Sequence, residues 1–517
     1  MDLKNILYNI KDMIKLIDKF LNQITMYRLV FYYVLSLWIV GFILSFFKLI
    51  PYAPFDLLAA AVFIEAVCFV VNAVFAYVFK VPTNLESVYT TGLILALIIS
   101  PMQPFSHLVF FGWAAALAMA SKYIIALNKK HLFNPAAIGV ALTAVVLGNS
   151  ANWWVGNLYM LPFVLFGGFL IVRKLRRWDL VLSFFVVAVF AILGTFFFKE
   201  ANLLLILKEV LFYSPIVFFA CVMLTEPATT PPTKNLRMLY GAVVGFLFVP
   251  AFHIGPVYST PELALLVGNI FAYIVSPKYK LILELKEKMP AAAGVYEFLF
   301  KSDKKLKFKP GQYMEWTLGH DNNDARGIRR YFTIASSPTE ESIRMGVKFY
   351  SNSSSFKKSI LELNLGDKIV ASQLAGDFTL PEDKSKKLVF IAGGIGITPF
   401  RSMIKYLLDT KEQRDIVLFY SNRQPADVVY KDIFDQGAKE LGIKTIYTIT
   451  DLPYTGDWQG ERGMIDEPMI RREVSDYKDR IFYLSGPNTM VVAFEETLQK
   501  MGIPKKQIKR DFFPGFV

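Results

Sequence analysis

The sequence predicts a chain in two parts. An α-helical polytopic membrane domain of about ten helices, built as inverted five-helix repeats, is fused to a β-barrel and then to a doubly wound α/β domain. Three observations predict it. From about Met26 to Ser276 the chain is a series of long apolar runs broken by short loops. Residues 279–380 alternate apolar and polar positions in short segments, the mark of half-buried strands. Residues 387–517 alternate strand-like and helix-like segments, the mark of a parallel sheet. The expected boundaries are an amphipathic N-terminal segment at 1–25, a transmembrane domain at 26–276, a barrel at 277–385 and an α/β domain at 386–517.

Composition excludes several classes. Of 517 residues, 54% are hydrophobic and only 19% charged, against ~25% charged in soluble domains. Mean hydropathy is +0.40. An ordinary soluble enzyme, a disordered chain and a disulfide scaffold are ruled out. The two cysteines, Cys68 and Cys221, cannot build a four-cysteine metal site within one chain. The net charge of +13 reads as basic cytoplasmic loops, and no nucleic-acid partner is expected.

A bilayer core needs about 20 apolar residues per helix. Eight segments qualify: 26–48, 55–79, 106–127, 158–175, 179–198, 203–224, 238–254 and 260–276. Two more, 88–100 and 134–148, are shorter. The charged, amphipathic start of the chain predicts a helix on the membrane surface, and it carries no cleavable signal peptide. Loop charges set the orientation. With both termini inside, inner loops hold Lys80, Lys129, Lys130, Arg173, Lys174, Arg176, Arg177, Lys234, Arg237, Lys278 and Lys280. Outer loops hold only Lys48 and Lys199, at their edges. This positive-inside pattern predicts an even number of crossings and a multi-pass protein of the cytoplasmic membrane. Segment three ends in Ile-Ile-Ser-Pro-Met-Gln-Pro-Phe on the outside. Segment eight ends in Met-Leu-Thr-Glu-Pro-Ala-Thr-Thr-Pro-Pro-Thr on the inside. Two Pro-rich breaks at position three of each set of five predict an inverted repeat with broken helices at a central site.

The barrel strands are expected at LILELKEK, GVYEFLF, QYMEWTL, YFTIASS, RMGVKFY and DKIVASQL. The parallel strands are expected at KLVFIAGG, IVLFYSN, KTIYTIT and IFYLSG, with helices at 399–410, 427–441 and 488–501. The junction GGIGITP at 393–399 follows a strand and opens a helix. Glycines there let main-chain amides approach a pyrophosphate at a helix N-terminus. In the segment Arg330–Ser337, an Arg suits a phosphate, an aromatic suits stacking on a flavin ring, and a Thr hydroxyl suits a ring nitrogen. Strand alternation places Arg330 and Phe332 on one face.

Together these motifs resemble the ferredoxin–NADP reductase family of flavoproteins over the last ~240 residues, a domain-scale length. The resemblance rests on PGQY at 310–313, RYFTIASS at 330–337, GGIGITP at 393–399, SGPNTM at 485–490 and the closing DFFPGF. It implies FAD held by Arg330, Tyr331, Phe332 and Thr333, with Val347, Lys348, Phe349 and Lys357 along it and Phe516 covering the ring. It implies NADH or NADPH held by Gly393, Gly394, Gly396, Thr398 and Pro399, by Ser421 and Arg423 near the ribose, and by Gly486 and Pro487. Thr333, Thr398 and Ser485 would flank hydride transfer. Phe332 stands where the family often has Tyr, which keeps stacking and loses a hydroxyl. Ser485 stands where the family often has a Cys near the transferred hydride.

HLFNPAAIGVAL and MLTEPATTPPTKNLRMLYGAVVG carry a second resemblance. They are similar to the membrane-embedded flavin subunits of the sodium-translocating NADH:quinone oxidoreductase and of the Rnf electron-transport complex. That implies an inverted-repeat fold with flavin inside the membrane. The Ser-Gly-Ala-Thr motif on which those subunits carry covalent FMN is absent. The expected second cofactor is therefore a non-covalent FMN or riboflavin. Asn134, Pro135, Thr225, Glu226, Thr229 and Thr230 are the candidates for lining it.

No metal is expected. The four histidines, His107, His131, His253 and His320, do not repeat along a helix as paired haem ligands must. The functional expectation is a membrane oxidoreductase. It would take electrons from cytoplasmic NAD(P)H through FAD and pass them through the membrane domain to a quinone or an extracytoplasmic flavoprotein. The alternatives are a membrane-anchored NAD(P)H:quinone reductase without transmembrane transfer, and a redox-regulated channel or transporter.

Overall fold

The computed structural model describes residues 13–511 except 15, 19, 22, 81–84, 102–106, 128–129, 198–201, 250–252, 256, 277–279, 321–323, 325–326 and 452–455. Phe516 and most of the Pro-rich stretch after Ile98 therefore lie outside the described residues. The chain divides into two compact units, Met1–Tyr279 and Lys280–Val517.

The first unit is helical. Its elements are α1 (Met26–Phe46), α2 (Pro54–Phe79), α3 (Leu85–Ile98), α4 (Leu108–Ile124), α5 (Pro135–Leu147), α6 (Leu161–Leu175), α7 (Trp178–Phe197) and α8 (Leu203–Phe212). They continue with α9 (Ile216–Phe218, running into a π-turn at Phe219–Met223), α10 (Lys234–Leu247) and α11 (Pro261–Val275). Two short hairpins, β1–β2 (Ala126–Leu127, Lys130–His131) and β3–β4 (His253–Ile254, Val257–Tyr258), lie in the connections. Among the described residues, α1, α2 and α7 have the length and composition to cross a membrane. The segment expected as one crossing at 203–224 is broken, with a 58° bend between Leu203–Phe212 and Ile216–Met223. The cause is local: Pro215 has no N–H to continue the ladder, and the Ser214 hydroxyl turns back to the Val210 carbonyl at 2.5 Å.

Packing partners recur along this unit. The pair α2–α4 is matched by α7–α10, α4–α5 by α10–α11, and α1–α3 by α6–α9, while α1 meets α6 and α5 meets α11. The α7–α10 approach needs glycine. A Cβ at Gly241 or Gly245 would lie 2.6 Å from the carbonyl oxygen of Leu180 or Phe184. The end of α3 is sealed by a distant loop. Asn152 and Trp153 donate their amides to the Ile98 carbonyl at 3.2 and 2.8 Å, and Val155 donates to Leu97 at 3.3 Å. Trp153 adopts φ +54° to do so, and Gly156 packs against the Ser214–Pro215 break.

The second unit holds two sheets. The first comprises β5 (Leu281–Ala292), β6 (Val295–Ser302), β7 (Tyr313–Thr317), β8 (Arg329–Thr333), β9 (Ile343–Lys348) and, after α12 (Ser355–Glu362), β10 (Lys368–Ala375). It is antiparallel, in the order β8-β7-β10-β5-β6-β9. Its edges approach beyond β8, where Ala335 donates its amide to the Arg344 carbonyl at 2.9 Å. Alternation sends Leu281, Leu283, Leu285, Phe298, Phe300, Met345 and Val347 into one core with Phe356 of α12.

The second sheet is parallel. It comprises β11 (Leu388–Gly393), β12 (Ile416–Asn422), β13 (Lys444–Ile449), β14 (Glu461–Arg462), β15 (Ile481–Ser485) and β16 (Ile508–Asp511). Helices α13 (Thr398–Thr410), α14 (Lys431–Leu441), α15 (Glu467–Glu473) and α16 (Asn488–Lys500) separate the strands. The order β14-β13-β12-β11-β15-β16 puts a switch point between β11 and β15. Continuous apolar runs such as Leu388–Ala392 are buried because both faces are covered. The strands β14 and β16 and the helices α12 and α15 add to the sequence reading. Two-residue β14 and the charged IKRD of β16 are too short and too polar to show an apolar period.

Candidate cofactor and nucleotide site

Ligands of a doubly wound sheet bind beyond the strand ends at the switch point. Here the chain leaves β11 through a 3₁₀ turn, Gly394–Ile397, before α13. Gly394 takes φ +51° with open space around it. A Cβ at Gly396 would meet the Ser485 carbonyl oxygen at 2.5 Å and the Gly486 Cα at 2.6 Å, and one at Gly393 would strike Met490 and Pro487. Gly393, Gly396, Ser485, Gly486 and Pro487 are thus brought together as one crevice walled by main chain. Thr398 and Pro399 open α13 on its rim, and the Thr398 hydroxyl donates to the Ile395 carbonyl at 3.2 Å. Ser421, next to last in β12, pairs with Gly393 of β11, and Arg423 just beyond the strand is exposed.

The other wall is the antiparallel sheet. Arg330 and Phe332 do share a face, because both meet Phe356. The Arg330 guanidinium lies 5.4 Å from that ring's centre and the Phe332 ring 6.0 Å away. Arg330 is buried and donates to the Gly327 and Arg329 carbonyls at 3.0 and 2.6 Å. Tyr331, on the opposite face, donates its hydroxyl to Glu315 at 2.9 Å. Thr333 is buried at the end of β8 opposite Tyr313. Val347 turns its side chain into the sheet core, so only its main chain is left to face a ligand. Phe349 packs on Tyr296 and Phe298. Lys348 reaches Asp427 at 3.4 Å, and Lys357 donates to the Lys348 carbonyl at 2.9 Å while lying over Tyr350.

Three features of this site were not singled out from the sequence. Helix α12 begins beside Arg330, with Ser354 as its N-cap, Ser355 taking a hydrogen bond from the Asp324 amide and Asp324 lying 3.9 Å from Arg330. The run Ser353-Ser354-Ser355 before an amphipathic stretch is the legible signal for that cap. Gly346 of β9 touches the nucleotide side directly: a Cβ there would lie 2.8 Å from the Tyr430 hydroxyl and 3.1 Å from Thr398 Cγ2. Arg401, one turn after Thr398, is bonded to Glu340 between β8 and β9. No spacing rule links those two positions. These observations fit FAD: a buried cation beside a helix N-terminus suits its pyrophosphate, and an extended strand with an aromatic suits its ring.

In the helical unit, Glu226 gathers neighbours. It accepts from Asn134 Nδ2 at 2.9 Å and from the Thr229 hydroxyl at 3.2 Å, and it lies 3.3 Å from His131 Nε2. Asn134 caps α5 and donates its backbone amide to Asn269 Oδ1 at 2.8 Å, while Asn269 donates to Tyr240 at 3.1 Å. Pro135 is the buried first residue of α5. Beside these groups is a shallow cleft of about 20 Å³, open to solvent, lined by Lys130, His131, Thr229, Asn269 and Tyr273 among others. Thr225 instead bonds the Cys221 carbonyl at 2.7 Å, and Thr230 is fully buried. Among the described residues no cluster of His, Cys, Asp and Glu is placed to hold a metal.

Comparison with known proteins follows the same division. Residues 390–496 match the family model of the oxidoreductase NAD-binding domain, and residues 142–279 match that of the NQR2, RnfD, RnfE family. Both resemblances drawn from the motifs are met by these matches. The first is a nucleotide-binding oxidoreductase module and the second a membrane electron-transport family. Among curated relatives, the stachydrine N-demethylase reductase subunit Stc4 of Rhizobium meliloti (strain 1021) is 27% identical over 45% of this chain and 66% of its own length. The flavohemoprotein of Bacillus subtilis (strain 168) is 26% identical over 40% of this chain and 52% of its own. The chain thus spans two thirds or less of these relatives. Among solved structures, Amycolatopsis cytochrome P450 reductase GcoB aligns with a TM-score of 0.42 at 23% identity, over 46% of this chain and 70% of its own. The flavohem-like FAD/NAD binding domain of Vibrio cholerae O1 biovar El Tor nitric oxide dioxygenase aligns at 0.41 and 20% identity, over 45% of this chain and 98% of its own.

Proposed function

We propose that this protein is an NAD(P)H-dependent, FAD-containing membrane oxidoreductase whose electrons leave through its own helical unit. The observation that carries the reading is the meeting of Gly346 and Thr398. It puts the strand expected to run along the flavin against the loop expected to hold the nicotinamide. Bound FAD would supply the chemistry, accepting hydride and releasing electrons singly. The chain's own task would be to bring the dinucleotide to the flavin and keep water out. Arg330, Phe332 and Thr333 hold the flavin, and the crevice from Gly393 to Pro399 with Ser485 to Pro487 holds the dinucleotide. In the helical unit, the recurring packing pairs support reading it as two five-helix repeats. The polar cluster around Glu226, on the segments that carry the second resemblance, is the feature that supports a non-covalent FMN or riboflavin there, from which a quinone or an extracytoplasmic flavoprotein is reduced.

The test begins with a cofactor inventory of the purified protein: flavins released, identified and counted per chain. FAD plus a second, non-covalent flavin is expected. The protein is then placed in sealed vesicles with NAD(P)H outside and a membrane-impermeant acceptor trapped inside. Reduction of the trapped acceptor is the expected outcome. FAD alone, with only quinone reduced, would replace the conduit by an anchored quinone reductase.

A further inference from the structure

The antiparallel and parallel sheets of the second unit are tied by a charge-neutral chain of four side chains. Glu297 of β6 takes Arg344 Nη1 of β9 at 2.6 Å. Arg344 Nε reaches Glu340 at 3.1 Å. Glu340, between β8 and β9, is held by both terminal nitrogens of Arg401, one at 2.9 Å, and takes the Ser337 amide at 2.6 Å. Arg401 also donates to the Ala335 carbonyl at 3.0 Å, and its neighbour Ser402 donates to the Ser336 carbonyl at 2.7 Å. On its other side the Arg401 guanidinium lies 5.6 Å from the centre of the Tyr430 ring.

Position in the chain gives this set its meaning. Arg401 lies three residues after Thr398 on α13, and Ala335 lies two residues after Thr333. Every hydrogen bond Arg401 makes here therefore joins the first turn of the nucleotide helix to the stretch that leaves the flavin strand. The pair is also dry: the side chains of Arg401 and Glu340 are 4% and 16% exposed. A second contact between the sheets is Lys348–Asp427 at 3.4 Å. The partners Arg401 meets, Glu340, Ala335 and Tyr430, are not among the residues expected to bear on the reacting rings.

We propose that Arg401 and Glu340 are positioning residues, a two-residue clamp that sets the distance between the nicotinamide-facing Thr398 and the flavin-facing Thr333. The inference rests on the functional reading above. It predicts that loosening the clamp slows hydride transfer without releasing FAD, because a displacement of about 1 Å at the reacting atoms costs roughly 100-fold in rate.

The experiment uses the full chain with FAD bound. Flavin bleaching by NADH and NADPH is followed in a stopped-flow instrument for wild type, Glu340→Gln and Arg401→Met. It is repeated with nucleotide deuterated at the transferred position. Amide exchange over residues 398–402 is read without nucleotide. Expected are unchanged FAD per chain, a bleaching rate lower by roughly 10- to 100-fold, a larger isotope effect, and faster exchange at 398–402. Arg401→Lys keeps the charge but not the two-pronged contact, so it should recover part of the rate; it also serves if the Met variant does not accumulate. Wild-type rates and isotope effects per bound FAD in the variants would overturn the clamp. So would FAD loss with an unaltered rate on the FAD that remains, which would make the pair a scaffold only. A wild-type protein that neither nucleotide bleaches would sink the functional reading instead, and the two failures are therefore distinct.

Discussion

Gly396 and Ser485 lie against each other so closely that a methyl group on Gly396 would sit 2.5 Å from the Ser485 carbonyl oxygen. Both neighbours at this point are main chain, which cannot swing aside as a side chain can. Gly396→Ala should therefore force β11 and β15 apart at their ends, at a cost of about 1–3 kcal/mol. We expect FAD to stay and the affinity for NAD(P)H to fall by 10-fold or more, on the order of the same energy. Calorimetric titration of the oxidised protein with NAD⁺ and NADP⁺ checks this. Undiminished binding of both would remove the crevice as the dinucleotide site.

Arg330 is the buried cation beside the start of α12. Hydrogen bonds to charged groups contribute about 1.5–3 kcal/mol, so Arg330→Met should weaken FAD binding by roughly 10- to 100-fold. The check is the flavin-to-protein ratio after gel filtration, with and without added FAD. Full retention would mean that the phosphates lie elsewhere.

Asp476 offers a test of pH dependence away from the site. Its carboxylate takes Arg480 Nε at 2.6 Å and Lys387 Nζ at 2.7 Å, tying together the starts of β15 and β11. The Arg480 contact, backed by Lys387, holds its pKa down at about 2 against an ordinary 3.8. A depressed carboxylate stabilises the fold fully above its ordinary value and loses that contribution as pH falls through the folded value. Wild type should thus lose roughly 1–2 kcal/mol of local stability between pH ~4 and ~2, after allowance for solvent screening. Asp476→Asn should be less stable at neutral pH and lose less on acidification. Amide exchange in β15 across that window reads both effects, and parallel curves for the two proteins would contradict the assignment.

Glu226 bears on the helical unit. Glu226→Gln keeps the volume and removes the charge that Asn134, Thr229 and His131 gather around. FAD content and bleaching by NAD(P)H should be unchanged, since this residue has no part in them. Occupancy of the second flavin, and electron delivery to the trapped acceptor, should fall by roughly 10-fold, the scale of one charged hydrogen bond. Equal delivery in both proteins would place the relay elsewhere.

What was legible in the sequence divides by range. Local pattern told the strand Leu388–Gly393 from the helix behind it, because five apolar residues in a row before two glycines describe a buried strand and a turn. It also put Arg330 and Phe332 on one face, since strand periodicity is a local property. The bend at Pro215 is a local signal that an unbroken apolar run conceals. Glu340 and Arg401 could not be paired in advance: 61 residues separate them, and each alone reads as a surface charge. The same holds for Asn269, whose amide oxygen meets Asn134 only after α5 and α11 have packed. Contacts that depend on tertiary closure leave no period to read.

The seal on α3 has a consequence for how the protein is made. Pro101, four residues after Leu97, has no N–H to give back, and the carbonyls of Leu97 and Ile98 take donors from Asn152, Trp153 and Val155. A backbone carbonyl left unmet in an apolar layer is costly. The end of the third helix is therefore expected to be completed late, for these amides are synthesised more than fifty residues after it. Completion of this helical unit is then expected to follow its long-range hydrogen bonds and not only the order in which its helices emerge.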